Sequence, residues 1–322
     1  MDPLKSLKNE HNVFLVLKTV NIYIPTFNAG SRWEAVLQAL NRQTYPMNCR
    51  ILVDSGSSDN TVAAAKDAGF QVLRVDSADF DHGGTRQFAI ERFPEADIYV
   101  FFTQDAVPAD ADTLTHIVQV FDDPEVGIAY GRQLPNPDAT VLEAHARLYN
   151  YSSKGYIRQL RDADKYGVKT IFCSNSFAAY RRVAFERVGG FPKNTIMGED
   201  VITAGNLVRK GWKIAYAATA CVYHSHDYTL GQEFARYFDI GVFHRLTPWI
   251  IETFGHANRE GLKYAKSEIS YVGRHNPLLL PKVGCSFFAK WFGYQLGLRY
   301  RMLPLNLRRA FSMHKRYWDK SL

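Results

Sequence analysis

Along the first 130 residues, apolar positions come in short unbroken runs, each followed by small or polar residues. Val20-Asn21-Ile22-Tyr23-Ile24 stops at Pro25. Residues 49–53 run into Asp54, residues 71–75 follow, and Ile98 to Phe102 is apolar at every position before Thr103-Gln104-Asp105. Runs of this kind predict strands buried on both faces of a parallel sheet. Between them, Trp33, Val36, Leu37 and Leu40 recur at helical spacing and predict a helix facing the core. Ser31 with Glu34 predicts a capping box for it. Asp59 predicts an N-cap for a helix over 61–68 that Gly69 ends. The alternation of strand and helix predicts an α/β chain with a mostly parallel central sheet flanked by helices.

The pattern then becomes less regular. A helix to Phe121, a strand over 127–130 and a helix over 138–151 are expected, and the small polar group Ser174-Asn175-Ser176 leads into a strand-like stretch. A short helix over 182–188, a longer one opened by Met197-Gly198-Glu199-Asp200, and two short strands, 213–216 and 221–223, come next. Residues 152–169 are dense in charge and read as a surface loop or short helix able to act as a lid. From about Thr229 the alternation stops, and the remainder reads as helical with aromatic and basic residues interleaved. The expected divisions are a tail over 1–18, an α/β domain over 19–228 and a helical extension over 229–322.

Size and composition add a few bounds. With 322 residues and 46% hydrophobic content, a large α/β domain with an appendage, or two domains, can bury a sizeable core. Cys49, Cys173, Cys221 and Cys285 are scattered without a CxxC pair, which argues against a disulfide framework or a thiolate metal site and suits a reducing cytoplasm. Asp2, Lys5, Lys8 and Glu10 break up the start, so no secretory signal is expected. The apolar stretch over 13–24 carries Lys18 and Asn21 and is too short to span a bilayer.

Familiar nucleotide motifs are missing: there is no GxGxxG after the first strand, no GxxxxGK[ST], and no HExxH. What remains is a set of acidic and histidine residues at strand ends and helix starts: Asp54, Asp105, Glu199, Asp200, His224 and His226. Asp105, with one histidine of the 224/226 pair, could hold a divalent cation that leaves positions open for phosphate oxygens. A carboxylate at a helix start, such as Asp200, could accept a proton from a hydroxyl nucleophile. Each residue also has an ordinary reading. Asp105 could cap the helix beginning near Asp110 or Asp112, Glu199-Asp200 could be first-turn acidic capping, and a histidine could simply be packed. The stretch Phe80-Asp81-His82-Gly83-Gly84-Thr85-Arg86-Gln87 is either an anion site at a helix start or a Gly-rich turn with a solvated Arg86.

The order Pro25-Thr26-Phe27-Asn28, Asp54-Ser55-Gly56-Ser57-Ser58-Asp59, an Asp at a central strand end, and Glu199-Asp200 resembles the inverting family 2 glycosyltransferases of the GT-A fold. The resemblance spans roughly residues 19–228. Phe80 to Gln87 and His224-Ser225-His226-Asp227-Tyr228 resemble a narrower branch, the bacterial rhamnosyltransferases that use dTDP-L-rhamnose in surface polysaccharide assembly.

This resemblance implies a role for each position. Pro25, Thr26 and Asn28 would border the nucleotide. Asp54 would hydrogen-bond the base, with Ser55 and Ser57 lining its pocket, and Gly83, Gly84 and Arg86 would lie against the nucleotide or diphosphate. Gln104 and Asp105 would sit at the donor, with Asp105 and His224 holding Mg2+ or Mn2+. Asp200 would be the catalytic base, with Glu199 and His226 as neighbours or acceptor contacts. Two positions depart from the family pattern: Gln104-Asp105-Ala106 keeps a single carboxylate, and Gln87 stands where Asn is usual.

The implied activity is metal-dependent transfer of L-rhamnose from dTDP-L-rhamnose, with inversion, to a glycan or lipid-linked glycan acceptor. Transfer from a UDP-hexose, or a weakly catalytic binding subunit of a polysaccharide assembly complex, are the alternatives. The excess of a net charge of +7 falls late in the chain, among aromatic residues. This tail reads as attachment to an anionic membrane surface at the inner face of the plasma membrane, or as plain packing of an appendage. No nucleic-acid-binding motif accompanies it.

Overall fold

The computed structural model of the protein describes residues 17–256 and 260–319. Apart from its last two residues, the tail expected over 1–18 lies outside the described residues. Nine strands form one sheet among those described: β1 (Val20–Thr26), β2 (Cys49–Asp54), β3 (Gln71–Arg74), β4 (Ile98–Phe102), β5 (Val107–Pro108), β6 (Val126–Leu134), β7 (Tyr156–Arg158), β8 (Phe177–Arg181) and β9 (Lys213–Tyr223). Their order is β3-β2-β1-β4-β8-β6-β9-β5, with β7 also on β9.

β1 to β4 pair in parallel, as their unbroken apolar runs predict. Beyond β4 the sheet is mixed. β8 is antiparallel to both β4 and β6, β6 and β9 are parallel, and β5 and β7 run antiparallel to β9. The helices of this region are α1 (Trp33–Asn41), α2 (Thr61–Asp67), α3 (His82–Arg92), α4 (Thr113–Gln119), α5 (Val141–Asn150), α6 (Ala163–Tyr166), α7 (Arg182–Arg187) and α8 (Glu199–Arg209).

Successive strand residues point to opposite faces, so each buried strand feeds two cores. Tyr23, Tyr99 and Phe101 join one cluster with residues of α3, α7 and α8. Ile22, Ile24, Val100 and Phe102 join the other, with α1 and α4. All five residues of β4 are fully buried, which fixes the loop carrying Asp105 to the centre of the sheet.

Several local expectations change. The Ser31–Glu34 capping box does not form: residues 30–32 make a 3-10 turn, and α1 starts from Arg32 without a side-chain cap. Asp59 accepts from the backbone N–H and hydroxyl of Thr61, so it closes the turn at the start of α2, but the N-cap position itself is Asn60. The two short strands over 213–216 and 221–223 are one continuous β9, with a register shift against β6 between Gly131 and Arg132. Residues 152–169 are tied down rather than loop-like. They contain β7, α6 and short 3-10 turns, and Arg158 stacks on Tyr156 and Tyr166 while donating to Lys169 O at 2.6 Å.

The C-terminal helices are α9 (Leu230–Leu246), α10 (Pro248–Phe254), α11 (Glu260–His275), α12 (Leu280–Leu298), α13 (Leu305–Phe311) and α14 (Lys315–Asp319). α9 and α12 pack with their backbones in contact. A Cβ on Gly293 would lie 2.4 Å from Phe234 O, and one on Gly297 would lie 2.1 Å from Phe238 O. Phe238, Val242, Phe254, Tyr300 and Trp318 join the same core as Tyr99 and Phe101, so these helices close one face of the sheet. Among the described residues, no helix is long and apolar enough to cross a membrane.

Candidate active site

The strand ends of the parallel half form a polar cradle. β2 ends at Asp54, which is 3% exposed, and its carboxylate accepts from Gly56 N at 3.0 Å and Ser57 N at 3.1 Å. Ser57 Oγ accepts from Asn28 N at 2.8 Å, and Asn28 Oδ1 accepts from Ser58 N at 2.8 Å. The loops after β1 and β2 thus lock together, with Asn28 held at a positive φ of 45°. Gln104, at the end of β4, bonds Phe27 on both sides, accepting from its N at 2.8 Å and donating to its O at 3.2 Å. Pro25 and Thr26 complete β1 beside Asp54. The hydroxyls of Thr26 and Ser55 are buried and find no hydrogen-bond partner among the described residues. A ligand seated here could use both.

The second group is a trio. Asp105 Oδ1 lies 3.4 Å from His224 Nε2, Asp105 Oδ2 lies 3.6 Å from His226 Nε2, and the two Nε2 atoms are 3.0 Å apart. The continuous β9 brings this about by delivering both histidines against the β4 loop. Burial alone would raise the Asp105 carboxyl, but its bond to His224 and the charges of both histidines hold it far below the usual carboxylate range.

Gln133 sets the tautomer of His224. Gln133 is 3% exposed on β6, and its Oε1 meets Arg147 Nη1 at 2.9 Å and His224 Nδ1 at 2.9 Å. A guanidinium can only donate, so the facing atom of Gln133 is the oxygen, and Nδ1 of His224 must donate to it. When His224 is neutral its lone pair is therefore on Nε2, the atom that faces Asp105 and His226. One ligand atom from each of the three side chains lies within 4.8 Å of the others, a donor set that can close on one cation. Two imidazoles and a carboxylate suit Mn2+ better than Mg2+, which prefers oxygen ligands and strict octahedral geometry. The single carboxylate of Gln104-Asp105-Ala106 thus has imidazole nitrogens of both His224 and His226, just past β9, beside it, and each of the three could serve a cation.

The third group is the start of α8. Gly198 precedes it at a φ of 76°, and a Cβ there would lie 2.7 Å from the ring of Phe243. Only glycine fits this entry. Asp200 accepts from Asn175 N at 3.1 Å and Val201 N at 2.8 Å. Burial and the adjacent Glu199 carboxylate push its carboxyl up to about 7. Glu199 behaves oppositely. Burial alone would raise it, but Arg86, with His82 and Asn175 beside it, holds it below its ordinary value. Arg86 Nη1 lies 3.1 Å from Glu199 Oε1 and donates to His82 O at 2.9 Å.

Arg86 is consequently neither the solvated cation of a Gly-rich turn nor an open anion contact: it is 5% exposed and committed to Glu199. Gly83 and Gly84 likewise serve packing. A Cβ on Gly83 would lie 1.9 Å from Pro192 O, and Gly84 N donates to the N-capping Asp81 at 2.7 Å.

These groups are wired together. Gln133 Nε2 donates to Ser174 Oγ at 3.0 Å, and the next residue, Asn175, binds both Asp200 and Glu199. Neither Gln133 nor Asn175 was singled out from the sequence, although a polar residue at the end of a buried strand was an available signal for Gln133. A cleft of about 470 Å³ opens beside the trio, lined by Arg32, Thr140, Glu143, His226 and Tyr228 among others. Replacing Gln133 with Leu should leave the fold intact and weaken Mn2+ binding by about 10–100-fold, the range seen when a ligand's hydrogen-bond partner is removed. Mn2+ titration followed by electron paramagnetic resonance checks this, and unchanged affinity would remove Gln133 from the site.

Residues 21–189 match the model of "Glycosyl transferase family 2". The chain is 47% identical to the O-antigen chain rhamnosyltransferase RfbN of Salmonella typhimurium, over 93% of this chain and 96% of that protein. It is 43% identical to the O-antigen chain rhamnosyltransferase WbaN of Salmonella anatum, over 94% and 96%. Among solved structures, the mannosyltransferase PcManGT from Pyrobaculum calidifontis, in complex with GDP-Man and Mn2+, is similar with a TM-score of 0.56 at 20% identity. The match covers 94% of this chain and 85% of that one. TarS from S. aureus (residues 1–349) is similar with a TM-score of 0.55 at 16% identity, covering 94% and 90%. The architecture is therefore the GT-A fold of glycosyltransferases with a helical C-terminal region. Given the family match and two relatives aligned almost end to end, the chain belongs to glycosyl transferase family 2.

Proposed function

We propose that this enzyme transfers L-rhamnose from dTDP-L-rhamnose to a growing bacterial surface polysaccharide, with inversion at the anomeric carbon. The observation that carries the reaction type is the connected path from Asp105 against His224, by hydrogen bonds through Gln133 to Ser174, and from the next residue, Asn175, by a hydrogen bond to Asp200. A charge-compensating group and a base are held in one rigid frame, as an in-line displacement requires. The donor sugar rests on similarity to the two O-antigen rhamnosyltransferases.

In this reading the acceptor hydroxyl loses its proton to Asp200 as its oxygen bonds to the anomeric carbon. The bond from that carbon to the diphosphate oxygen breaks, and the electron pair leaves with dTDP. The β-linked donor gives an α-rhamnoside. A divalent cation, Mn2+ or Mg2+, when bound by Asp105, His224 and His226, supplies positive charge against the departing diphosphate. Asp54, Ser55, Ser57, Asn28, Thr26 and Pro25 form the cradle for the nucleoside. Gln104 holds the β1 loop at the edge of that cradle. Gly83, Gly84 and Arg86 act one step back, by fixing Glu199 beside the base.

A panel of dTDP-L-rhamnose, dTDP-glucose, UDP-glucose, UDP-GlcNAc and GDP-mannose, each with Mn2+, tests the donor. Release of dTDP from dTDP-L-rhamnose well above the others is expected. Preferential turnover of a UDP-hexose would replace the donor assignment, and turnover of none would favour a binding subunit.

The enzyme is further proposed to work at the cytoplasmic face of an anionic membrane, where a lipid-linked acceptor would be found. Residues 229–322 carry fifteen Lys and Arg against six Asp and Glu. Tyr300 and Trp318 are buried and serve packing, but Phe288, Trp291 and Phe292 are 64%, 60% and 42% exposed on one face of α12. Amphipathic aromatics beside basic residues suit the interface of an anionic bilayer. Vesicles of phosphatidylethanolamine and phosphatidylglycerol should carry the protein in flotation. A Phe288→Ser/Trp291→Ser variant should sediment, and equal flotation of both proteins would defeat the idea.

A further inference from the structure

A second hollow, of about 400 Å³, shares no lining residue with the cleft beside the trio. It is lined by Phe80, Asp81 and His82 at the start of α3, by residues 194–196 leading into α8, and by His314, Arg316 and Tyr317 from the C-terminal segment. It is joined to the residue before the base: His82 O accepts from Arg86, and Arg86 pairs with Glu199 at 3.1 Å.

The C-terminal wall is built with care. Asp239 on α9 is fully buried, and its carboxylate accepts from Met313 N at 2.9 Å and His314 N at 3.3 Å. A buried carboxylate is costly unless it is hydrogen-bonded, so its placement here fixes the backbone of that segment. The His314 ring then meets the His82 ring edge-on, with centroids 5.0 Å apart. Arg316 Nη1 donates to Ser77 O at 2.6 Å, which ties the segment to the loop after β3. On the opposite wall, Asn194 N donates to Asp81 Oδ2 at 3.1 Å, and the Thr195 hydroxyl is buried without a hydrogen-bond partner among the described residues.

We infer that this hollow binds a neutral hexose unit of the acceptor glycan, with His82, His314 and Thr195 contacting its hydroxyls. The inference rests on the glycosyltransferase reading above. Three features favour a neutral sugar over the donor. In an in-line displacement the acceptor comes in beside the base, and this hollow reaches Glu199, the neighbour of Asp200, through His82 and Arg86, whereas the cleft of about 470 Å³ adjoins His226. The walls mix rings with hydroxyl, imidazole and carboxylate groups, and the guanidinium of Arg316 turns an N–H to Ser77 O; rings with such polar neighbours suit the apolar face and polar rim of a pyranose. Burial lowers the basicity of both imidazoles, so they face the hollow as neutral groups able to accept as well as donate.

The test uses full-length protein with methyl glycosides of galactose, mannose and glucose, followed by saturation-transfer NMR in the presence of dTDP. At least one glycoside should give a transfer signal. His314→Ala and Thr195→Val should each weaken its binding by about tenfold, the loss of one good hydrogen bond. Calorimetric titration should find dTDP affinity retained in both variants, which also reports that they are folded. Absence of signal with every glycoside, an unchanged signal in both variants, or loss of dTDP affinity in both would each overturn the assignment. The last would give the hollow to the nucleotide. Failure of the wild-type protein to consume any nucleotide sugar is a separate outcome and would count against the glycosyltransferase reading itself.

Discussion

Replacing Asp200 with Asn should reduce transfer by about 10²–10⁴-fold, the usual contribution of a positioned general base. The change is nearly isosteric. Asn175 N and Val201 N donate to different oxygens of Asp200, so Asn keeps one of these two bonds and turns an NH2 toward the other donor, a local loss that leaves the rest of α8 in place. Asn cannot take up the acceptor's proton. In the wild-type enzyme the Asp200 carboxyl titrates near 7, raised by burial and by Glu199. Only the ionised form is a base, so activity should climb with pH through this range and level off above it. The Asn variant should lose that dependence along with its activity.

Stability should move the other way. A carboxyl whose pKa is raised on folding favours the folded state when protonated, and that contribution is lost as pH rises through the folded value. Asp200→Asn removes the penalty of ionising a buried group beside Glu199, so the fall in melting temperature between pH 6 and pH 8 should be smaller in the variant than in the wild type. A rate profile and melting curves at pH 6 and 8 check both expectations. Full transfer by the variant would remove Asp200 as the base, and an equal fall in melting temperature in both proteins would show that Asp200 is not the group that titrates.

Replacing Asp105 with Asn should have the second large effect. Asp105 is the only anionic member of the trio, and both histidines face it. An amide offers no net charge against a cation, and its NH2 group would point a donor at imidazole nitrogens that must present lone pairs. Electrostatic help to a leaving diphosphate is worth several kcal/mol, so transfer should fall on the order of 10³-fold. Mn2+ titration by electron paramagnetic resonance should register the loss without reference to activity. Undiminished Mn2+ affinity would dissociate Asp105 from the metal.

The parallel half of the fold was legible because burial on both faces leaves an unbroken apolar run, as in Ile98 to Phe102. In the mixed half the strands over 127–130, after Ser176 and over 213–223 were legible in part, but β7 and the antiparallel pairing of β8 were not, because they depend on partners far along the chain. β9 was split in two on paper because Ala217-Ala218-Thr219-Ala220 is weakly strand-forming in isolation, yet small residues fit beside the register shift against β6. The charged stretch over 152–169 read as a loop, since nothing local announces that Arg158 will be sandwiched between two tyrosines.

The site divides similarly. Asp54, Asp105 and Asp200 stand where strand ends and helix starts expose carboxylates, so position and residue type sufficed to single them out. Gln133, Asn175 and Asp239 act only through partners that the fold supplies, and Arg86 changed meaning once Glu199 was found against it.

The central claim is that a cation at Asp105, His224 and His226 joins this protein to a thymidine diphosphate donor. Calorimetric titration of dTDP and UDP into the wild-type protein, each with and without Mn2+, tests it most directly. The account predicts dTDP binding that tightens markedly with Mn2+, with UDP weaker. Binding of neither nucleotide, or dTDP affinity indifferent to Mn2+, would contradict it.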